Sequence, residues 1–299
     1  MFQSKVSLEN NPFNTSNKNF KPLILDGAIG SYLQEKGFKP SDSSWMTNIN
    51  QTNPESIIQI HKEYIEAGAD IITTNTFRTN PAANEKTKKK MKSNVQQAVK
   101  LAKVASHGLN VYIAGSNAPA EDCYQKERNI SNQKLELNHK YHIDLLIDNG
   151  VHFILNETQS HLDEIKIIVD HCCKNNIPYV ISLYLTESIA LLSGESLDYT
   201  LSIILEYEPL AIGLNCITSD LFKNVREQVS NKYFWGFYLN CGSGKPTDET
   251  IKCGVNPEEY IKIVQESMKY YPSYVGSCCG SNPNHIRRIR EYLDGRNKD

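Results

Sequence analysis

Eight short apolar runs recur along this chain, and each is followed by a segment whose apolar residues have helical spacing. The runs cover residues 22–27, 70–77, 111–116, 151–158, 179–184, 210–216, 233–241 and 274–279. Parallel strands are joined through crossover connections, so this alternation predicts a parallel sheet covered by helices. Eight such units in 299 residues fit a (β/α)8 TIM barrel, a fold of about 250 residues. A doubly wound sheet is the alternative, but no GxGxxG or Walker-type loop favours it.

Three of the helical segments are preceded by an Asn-Pro pair. The pairs are Asn53-Pro54, Asn256-Pro257 and Asn282-Pro283. Asparagine is a favoured N-cap residue, and proline is tolerated at the first helical position because its missing N–H has no helical partner there. We therefore predict that a helix begins at each of these prolines.

The first twenty residues are polar and rich in Asn and Ser, so we expect a polar N-terminal segment (1–20) followed by one barrel domain (21–299). No run approaches the roughly 18 apolar residues of a membrane span, and no signal peptide is evident. We therefore predict a cytoplasmic protein with reduced thiols. A net charge of -2 gives no reason to expect nucleic acid or a membrane as partner, which favours small-molecule substrates.

Polar residues collect where the apolar runs end. In a parallel barrel the active site lies at the C-terminal face of the strands, so these residues are the candidates for function. Acids and thiols are prominent among them: Asp26, Glu157, Cys216, Cys241, Cys278 and Cys279. The sequence therefore predicts that carboxylates and thiols converge on one rim of the barrel.

The metal hypothesis rests on Cys216 with the adjacent pair Cys278 and Cys279. In a closed barrel, thiols from the ends of the sixth and eighth strands can meet across the rim, and three cysteine ligands leave one position of a tetrahedral zinc open for catalysis. Neighbouring side chains on a strand point to opposite faces, so the pair reaches one ion only if the backbone turns, which Gly276 and Gly280 permit. The alternative is that these cysteines are buried as small apolar residues.

Asp26 and Glu157 lie at the ends of apolar strands, where a carboxylate has little structural reason to be. This position predicts that they bind a cationic group of a substrate or take part in acid–base chemistry. The structural alternative is a helix N-cap or a salt bridge that closes the barrel.

With these residues assembled, the sequence resembles the zinc-dependent homocysteine S-methyltransferase family. That family includes betaine- and S-methylmethionine-dependent enzymes and the homocysteine module of cobalamin-dependent methionine synthase. The resemblance runs from about residue 22 to residue 294. Its carriers are "LDGAIGSYL" (25–33), "AGADIITTNTF" (67–77), "NET" (156–158), "GLNC" (213–216) and "GSCCGSNPNHI" (276–286).

The resemblance implies a transferase that methylates homocysteine to methionine, with Zn²⁺ held by Cys216, Cys278 and Cys279. The substrate thiol would take the fourth zinc position as a thiolate and attack an electrophilic methyl group in line. The two acids would receive the amino group of homocysteine, and the backbone of the loop after the first strand would receive its carboxylate. The substrate-binding residues implied in this way are Asp26, Gly27, Ala28, Gly30, Glu157 and Asn215.

The sequence departs from the family pattern at three places. Ser277 replaces the second of two glycines, Asn117 and Ala118 alter the segment after the third strand, and "LNCG" (239–242) stands where sulfonium-dependent members tend to read "PNSG". We expect these positions on the rim near the methyl donor. Cys241 is interpreted either as a resting-state ligand or, preferably, as a replacement that packs beside the site.

The leading hypothesis is an enzyme that uses S-methylmethionine or S-adenosylmethionine as methyl donor. This choice expects no cobalamin or folate module and no long C-terminal extension of the betaine type beside the barrel. Within the same class, the alternative is the homocysteine-binding subunit of a split corrinoid-dependent methionine synthase. From another class, the alternative is a non-catalytic or redox-responsive zinc barrel.

Overall fold

The computed structural model describes residues 11–15, 20–40, 45–84, 88–230, 232–244, 248 and 250–295. Eight of its strands form one parallel sheet. They are β1 (Leu23–Ile24), β2 (Ile71–Thr73), β3 (Tyr112–Asn117), β4 (Phe153–Gln159), β5 (Tyr179–Leu183), β6 (Ala211–Asn215), β7 (Trp235–Leu239) and β10 (Tyr274–Ser277). Between β7 and β10 the chain adds a small antiparallel hairpin of β8 (Gly242–Ser243) and β9 (Lys252–Cys253).

The sheet closes on itself. Its order is β1-β10-β7-β6-β5-β4-β3-β2, and a parallel bridge between Leu25 and Ile71 joins the two ends. The side chain of Asp70 strengthens this seam, because its Oδ2 accepts a hydrogen bond from the Ile24 N–H at 2.8 Å. The predicted (β/α)8 barrel is therefore confirmed.

Helices cover the outside of the sheet. They are α1 (Ile29–Glu35), α2 (Ile49–Thr52), α3 (Pro54–Glu66), α4 (Lys88–Ala105), α5 (Asn132–Asp148), α6 (Leu162–Lys174), α7 (Leu197–Leu205), α8 (Ser219–Ser230), α9 (Pro257–Ser267) and α10 (Pro283–Leu293). Within the described ranges, none of these helices has the length and apolar character needed to cross a bilayer.

The three predicted helix starts are confirmed, since α3, α9 and α10 begin at their prolines. The capping is uneven. Asn256 and Asn282 accept backbone N–H groups of the first turn, each as part of a capping box, whereas Asn53 makes no side-chain capping bond.

Two apolar layers follow from the alternation of side chains along each strand. The outer layer fills the space between strands and helices and includes Ile72, Ile154 and Val275. The inner layer fills the barrel itself and includes Leu155, Val180 and Tyr274. Polar side chains such as Thr73 and Ser116 face inward near the carboxyl ends of their strands, which is where the candidate site is built.

The described part of the N-terminal segment belongs to the inner layer. Phe13 is 1% exposed and packs edge-on against Phe153 and Tyr274, with ring centroids 5.5 and 5.4 Å away. Asn11 secures it, because its side-chain amide donates to the Leu210 carbonyl at 2.8 Å. Residues 1–10 and 16–19 lie outside the described residues, so the domain boundary at residue 20 stays a prediction.

Candidate metal and substrate site

The three thiols singled out by the sequence meet on the rim. Cys216 directly follows β6, and Cys278 and Cys279 directly follow β10. Their sulfur atoms all lie within 4.8 Å of one another, and the Cys279 sulfur is 3.9 Å from each of the other two. Cys216 and Cys278 are in disulfide contact, whereas the sequence predicts reduced thiols. This arrangement provides either an oxidised pair with a neighbouring thiol or, once reduced, three soft ligands for one metal ion.

The backbone is strained where it presents the first of these thiols. Cys216 has φ 55°, a left-handed conformation that is costly for a residue with a side chain. Its N–H donates to the Tyr238 carbonyl at 3.2 Å, which ties the strained residue to the neighbouring strand. Non-glycine residues in this region concentrate at functional sites.

The two glycines beside the cysteine pair differ in role. Gly280 adopts φ 79° and turns the chain after Cys279, as the sequence predicts. Gly276 stays within β10 and is needed for space instead, because a Cβ on it would lie 2.8 Å from the Leu25 Cβ. The prediction that both glycines make the turn is therefore correct only for Gly280.

Glu157 lies near the carboxyl end of β4 and is partly buried. The Ser116 hydroxyl donates to its carboxylate. Burial raises the pKa of Glu157 to about 7, and the Ser116 and Tyr238 hydroxyls offset only part of this effect. The Tyr238 hydroxyl makes no hydrogen bond of regular geometry with the described residues. A carboxyl group with this pKa is poised to lose its proton when a cation binds beside it.

Asp26 follows β1 and is 2% exposed. Its carboxylate accepts the Thr73 N–H at 2.8 Å and the Thr73 hydroxyl at 3.1 Å. Burial, together with the neighbouring charge of Glu157, raises the pKa of Asp26 well above its usual value. Asp26 thus joins β1 to β2 through Thr73 in addition to presenting a carboxyl group at the rim.

The predicted carboxylate-binding loop, residues 27–30, leads from β1 into α1. Here Ala28 is already engaged, since its N–H donates to the Ser281 hydroxyl at 3.1 Å and its carbonyl accepts the Tyr64 hydroxyl at 3.1 Å. These contacts hold the loop against the turn that follows the cysteine pair and against α3. A ligand would therefore be held by N–H groups of this loop other than that of Ala28.

Asn215 precedes Cys216, and its side chain points to the end of β4. The amide oxygen accepts the Thr158 N–H at 2.9 Å and the amide nitrogen donates to the Thr158 hydroxyl at 2.8 Å. Thr158 is also left-handed, at φ 56°. Asn215, which precedes Cys216, is thus bonded to Thr158, which follows Glu157. Both the oxygen and the nitrogen of its side-chain amide are used in these bonds.

Comparison with known proteins identifies the family of the chain. The sequence profile of the homocysteine S-methyltransferase family matches residues 23–293. The chain belongs to this family. Homocysteine S-methyltransferase 2 of Arabidopsis thaliana is 23% identical over 91% of this chain and 93% of its own length. Betaine-homocysteine S-methyltransferase of Drosophila melanogaster is 26% identical over 93% of this chain and 96% of its own length.

Solved structures agree with the fold. The oxidised form of the homocysteine methyltransferase MmuM from Escherichia coli has a TM-score of 0.81 and 22% identity, and the match covers 95% of this chain and all of MmuM. The metallated form of MmuM has a TM-score of 0.80. The family resemblance predicted from the sequence is therefore confirmed by the family profile.

Asn117 and Ser277 are two of the positions that depart from the family pattern. Their side chains point away from the inside of the barrel, whereas we predicted that they lie on the rim. Asn117 points outward from β3, where its amide contacts Asn156 at 2.7 Å and His142 at 2.9 Å. Ser277 pairs in register with Leu239, a member of the outer layer, so strand alternation places its side chain on the helix side. These residues belong to the packing behind the site.

Cys241 is fully buried beside the cysteine pair. Its sulfur is 3.7 Å from the Leu239 carbonyl, and the sulfur cluster found among the described residues comprises the other three thiols without it. This arrangement favours the interpretation of Cys241 as a packing residue.

Sequence reasoning gave no role to the side chains that hold the two acids. Thr73 binds Asp26, and Ser116 binds Glu157. Both lie at strand ends and face inward, so strand periodicity could have found them, but their pairing depends on the register between neighbouring strands.

Proposed function

We propose that this chain transfers a methyl group from a small-molecule donor to the thiol of homocysteine, with Zn²⁺ held by Cys216, Cys278 and Cys279. Membership of the family supports the reaction. The observation that carries the assignment of the site is the convergence of these three sulfurs within 4.8 Å, on the same rim as Asp26 and Glu157.

The residues present fit such an ion. A tetrahedral zinc with Zn–S bonds of about 2.3 Å separates its sulfur ligands by ~3.8 Å. Two of the three sulfur pairs are 3.9 Å apart. Cys278 and Cys279 are only partly buried, so a substrate can reach the cluster. When bound, zinc would keep the substrate thiol deprotonated at neutral pH.

The protein groups then position the substrate. The carboxylates of Glu157 and Asp26 attract its ammonium group, and N–H groups of the loop at residues 27–30 other than that of Ala28 receive its carboxylate. Asn215 keeps Glu157 and Cys216 in register. Its side chain bonds to Thr158, which follows Glu157, and Asn215 itself precedes Cys216.

The favoured donor is a sulfonium compound, either S-methylmethionine or S-adenosylmethionine. Tyr124 and Tyr184 support this choice, because their partly exposed rings pack edge to face with centroids 5.2 Å apart, and aromatic faces attract cations. Burial raises the pKa of Tyr124, and the neighbouring Cys123 and Cys279 contribute to the same rise.

The direct test supplies the reduced, zinc-loaded protein with homocysteine and one donor at a time: S-methylmethionine, S-adenosylmethionine, betaine or methylcobalamin. We expect methionine to form with a sulfonium donor. Turnover only with the methylated corrinoid would identify a subunit of a split methionine synthase. If zinc is bound but no donor yields methionine, the proposed reaction is wrong and a redox-responsive barrel becomes the better explanation.

Glu157 predicts a pH dependence of substrate binding. With a pKa of about 7, it is mostly neutral at pH 6 and mostly charged at pH 8, so affinity for an ammonium group should rise across this interval. L-Methionine is the suitable probe in calorimetry, because it carries the amino and carboxylate groups without a titrating thiol. Glu157→Gln should bind methionine more weakly at pH 8 and lose most of the pH dependence. An equal pH dependence in both proteins would contradict the role of Glu157.

A further inference from the structure

The hydroxyl of Tyr260 lies between two strands of the barrel. Tyr260 belongs to α9 and is 1% exposed. Its hydroxyl accepts a hydrogen bond from the Leu239 N–H at 3.1 Å and donates to the Gly276 carbonyl at 2.5 Å. A helix side chain thus contacts backbone groups of both β7 and β10.

The register of the two strands shows which position the hydroxyl occupies. Leu239 pairs with Ser277, and the Cys278 N–H donates to the Leu239 carbonyl at 2.9 Å. In a parallel ladder with this register, the group opposite the Leu239 N–H is the carbonyl of the residue before Ser277, which is Gly276. The Tyr260 hydroxyl therefore bonds to the donor and to the acceptor that face each other at one position of the ladder. This position lies two residues before the cysteine pair.

The backbone of the cysteine pair is held from this point onward. The bond from the Cys278 N–H to Leu239 is the next along the ladder. The Cys279 carbonyl then accepts the Cys241 N–H at 2.8 Å, and Gly280 turns the chain away. A small change in the separation of β7 and β10 at Gly276 would therefore move both sulfurs.

We propose that the Tyr260 hydroxyl is a positioning group that fixes the end of β10 so that Cys278 and Cys279 face one metal ion together with Cys216. It touches neither the substrate nor the ion and acts through the backbone of Leu239 and Gly276. This inference rests on the proposed function in assigning a metal to the three thiols. The positioning of the pair itself can be tested without metal.

The test compares Tyr260→Phe with Tyr179→Phe. Both variants keep a buried ring and lose one hydroxyl, since Tyr179 donates to the Tyr207 carbonyl at 3.0 Å. Tyr179 begins β5 and so lies at the opposite end of the barrel from the thiols. Circular dichroism and urea unfolding establish that each variant folds and how much stability each hydroxyl contributes.

The first measurement is the affinity of the reduced proteins for Co²⁺ in competition with a chelator, monitored by the thiolate-to-cobalt absorption bands. Loss of a group that orients metal ligands typically weakens metal binding 10- to 100-fold, so we expect at least about 10-fold for Tyr260→Phe, with altered bands. Tyr179→Phe should bind Co²⁺ as the unchanged protein does. The second measurement is the alkylation rate of each cysteine in the metal-free proteins by mass spectrometry, which should rise at Cys278 and Cys279 only in Tyr260→Phe.

Equal Co²⁺ affinity and unchanged alkylation in Tyr260→Phe would overturn the inference, as would equal changes in both variants. If the unchanged protein binds no Co²⁺, the proposed metal site fails instead, and the alkylation rates alone then decide whether Tyr260 positions the pair.

Discussion

Replacing Cys278 by alanine is expected to remove bound zinc and to lower methyl transfer to homocysteine by at least ~100-fold. Without the metal, a thiol of pKa about 8.5 is only about 3 per cent thiolate at pH 7. This ionisation term alone costs about 30-fold, and loss of the fixed position of the substrate sulfur adds to it. The measurements are metal content by mass spectrometry and the rate of methionine formation.

Two other cysteines provide matched controls. Cys173→Ala removes an exposed thiol on α6, and Cys241→Ala removes the buried thiol next to the pair. Both should retain one zinc per chain. Zinc that remains stoichiometric in Cys278→Ala would show that the ligands are wrong, whereas loss of zinc in Cys241→Ala would make that thiol a fourth ligand.

Much of the barrel could be predicted because its signal is local. Each apolar run marks a strand, although most of the strands are shorter than their runs. The run at 70–77 contains β2 over Ile71–Thr73 only, since the residues that follow leave the ladder to form the rim. The hairpin of β8 and β9 was not predicted, because two residues per strand give no periodicity to detect.

The sequence predicts which residues lie at the site better than it predicts their hydrogen-bond partners. Position at a strand end placed the acids and thiols on one rim, and this reasoning needs only the parallel topology. The partner of each side chain depends on register across the sheet. Asn215 illustrates the difference, because nothing in "GLNC" indicates that its amide is used by Thr158 at the end of β4.

The prediction placed Asn117 and Ser277 on the rim, but alternation along their strands turns both side chains toward the helices. Ser116 faces Glu157, so its neighbour Asn117 must face the helices, where it meets His142. The same alternation places Ser277 on the outer side. The side chains of Asn117 and Ser277 therefore lie in the packing between strands and helices.

Phe13 carries the second large expected effect, on stability. Phe13 lies in the segment that we predict to be polar, yet its ring packs in the inner layer between Phe153 and Tyr274. Phe153 and Tyr274 are the first residues of β4 and β10, so Phe13 closes the end of the barrel opposite the thiols. A single apolar side chain in a polar segment has no periodic partner, which is why sequence pattern could not assign it to the core.

Phe13→Ala is expected to lower the free energy of unfolding by about 3 kcal/mol or more, as is typical when a buried aromatic ring is replaced by alanine. In urea unfolding the midpoint should fall while the slope stays unchanged. Tyr199→Ala is the control, because this ring on α7 is 51% exposed and its removal should change stability by less than about 0.5 kcal/mol.

The same variant separates stability from function, since the two ends of a TIM barrel serve different purposes. Below its unfolding transition, Phe13→Ala should keep its zinc and its affinity for methionine, because no described contact of Phe13 reaches the carboxyl ends of the strands. A stability loss below 1 kcal/mol would mean that the N-terminal segment only rests on the barrel. Loss of zinc while the variant is still fully folded would mean instead that packing around Phe13 sets the spacing of the thiols at the opposite end of the barrel.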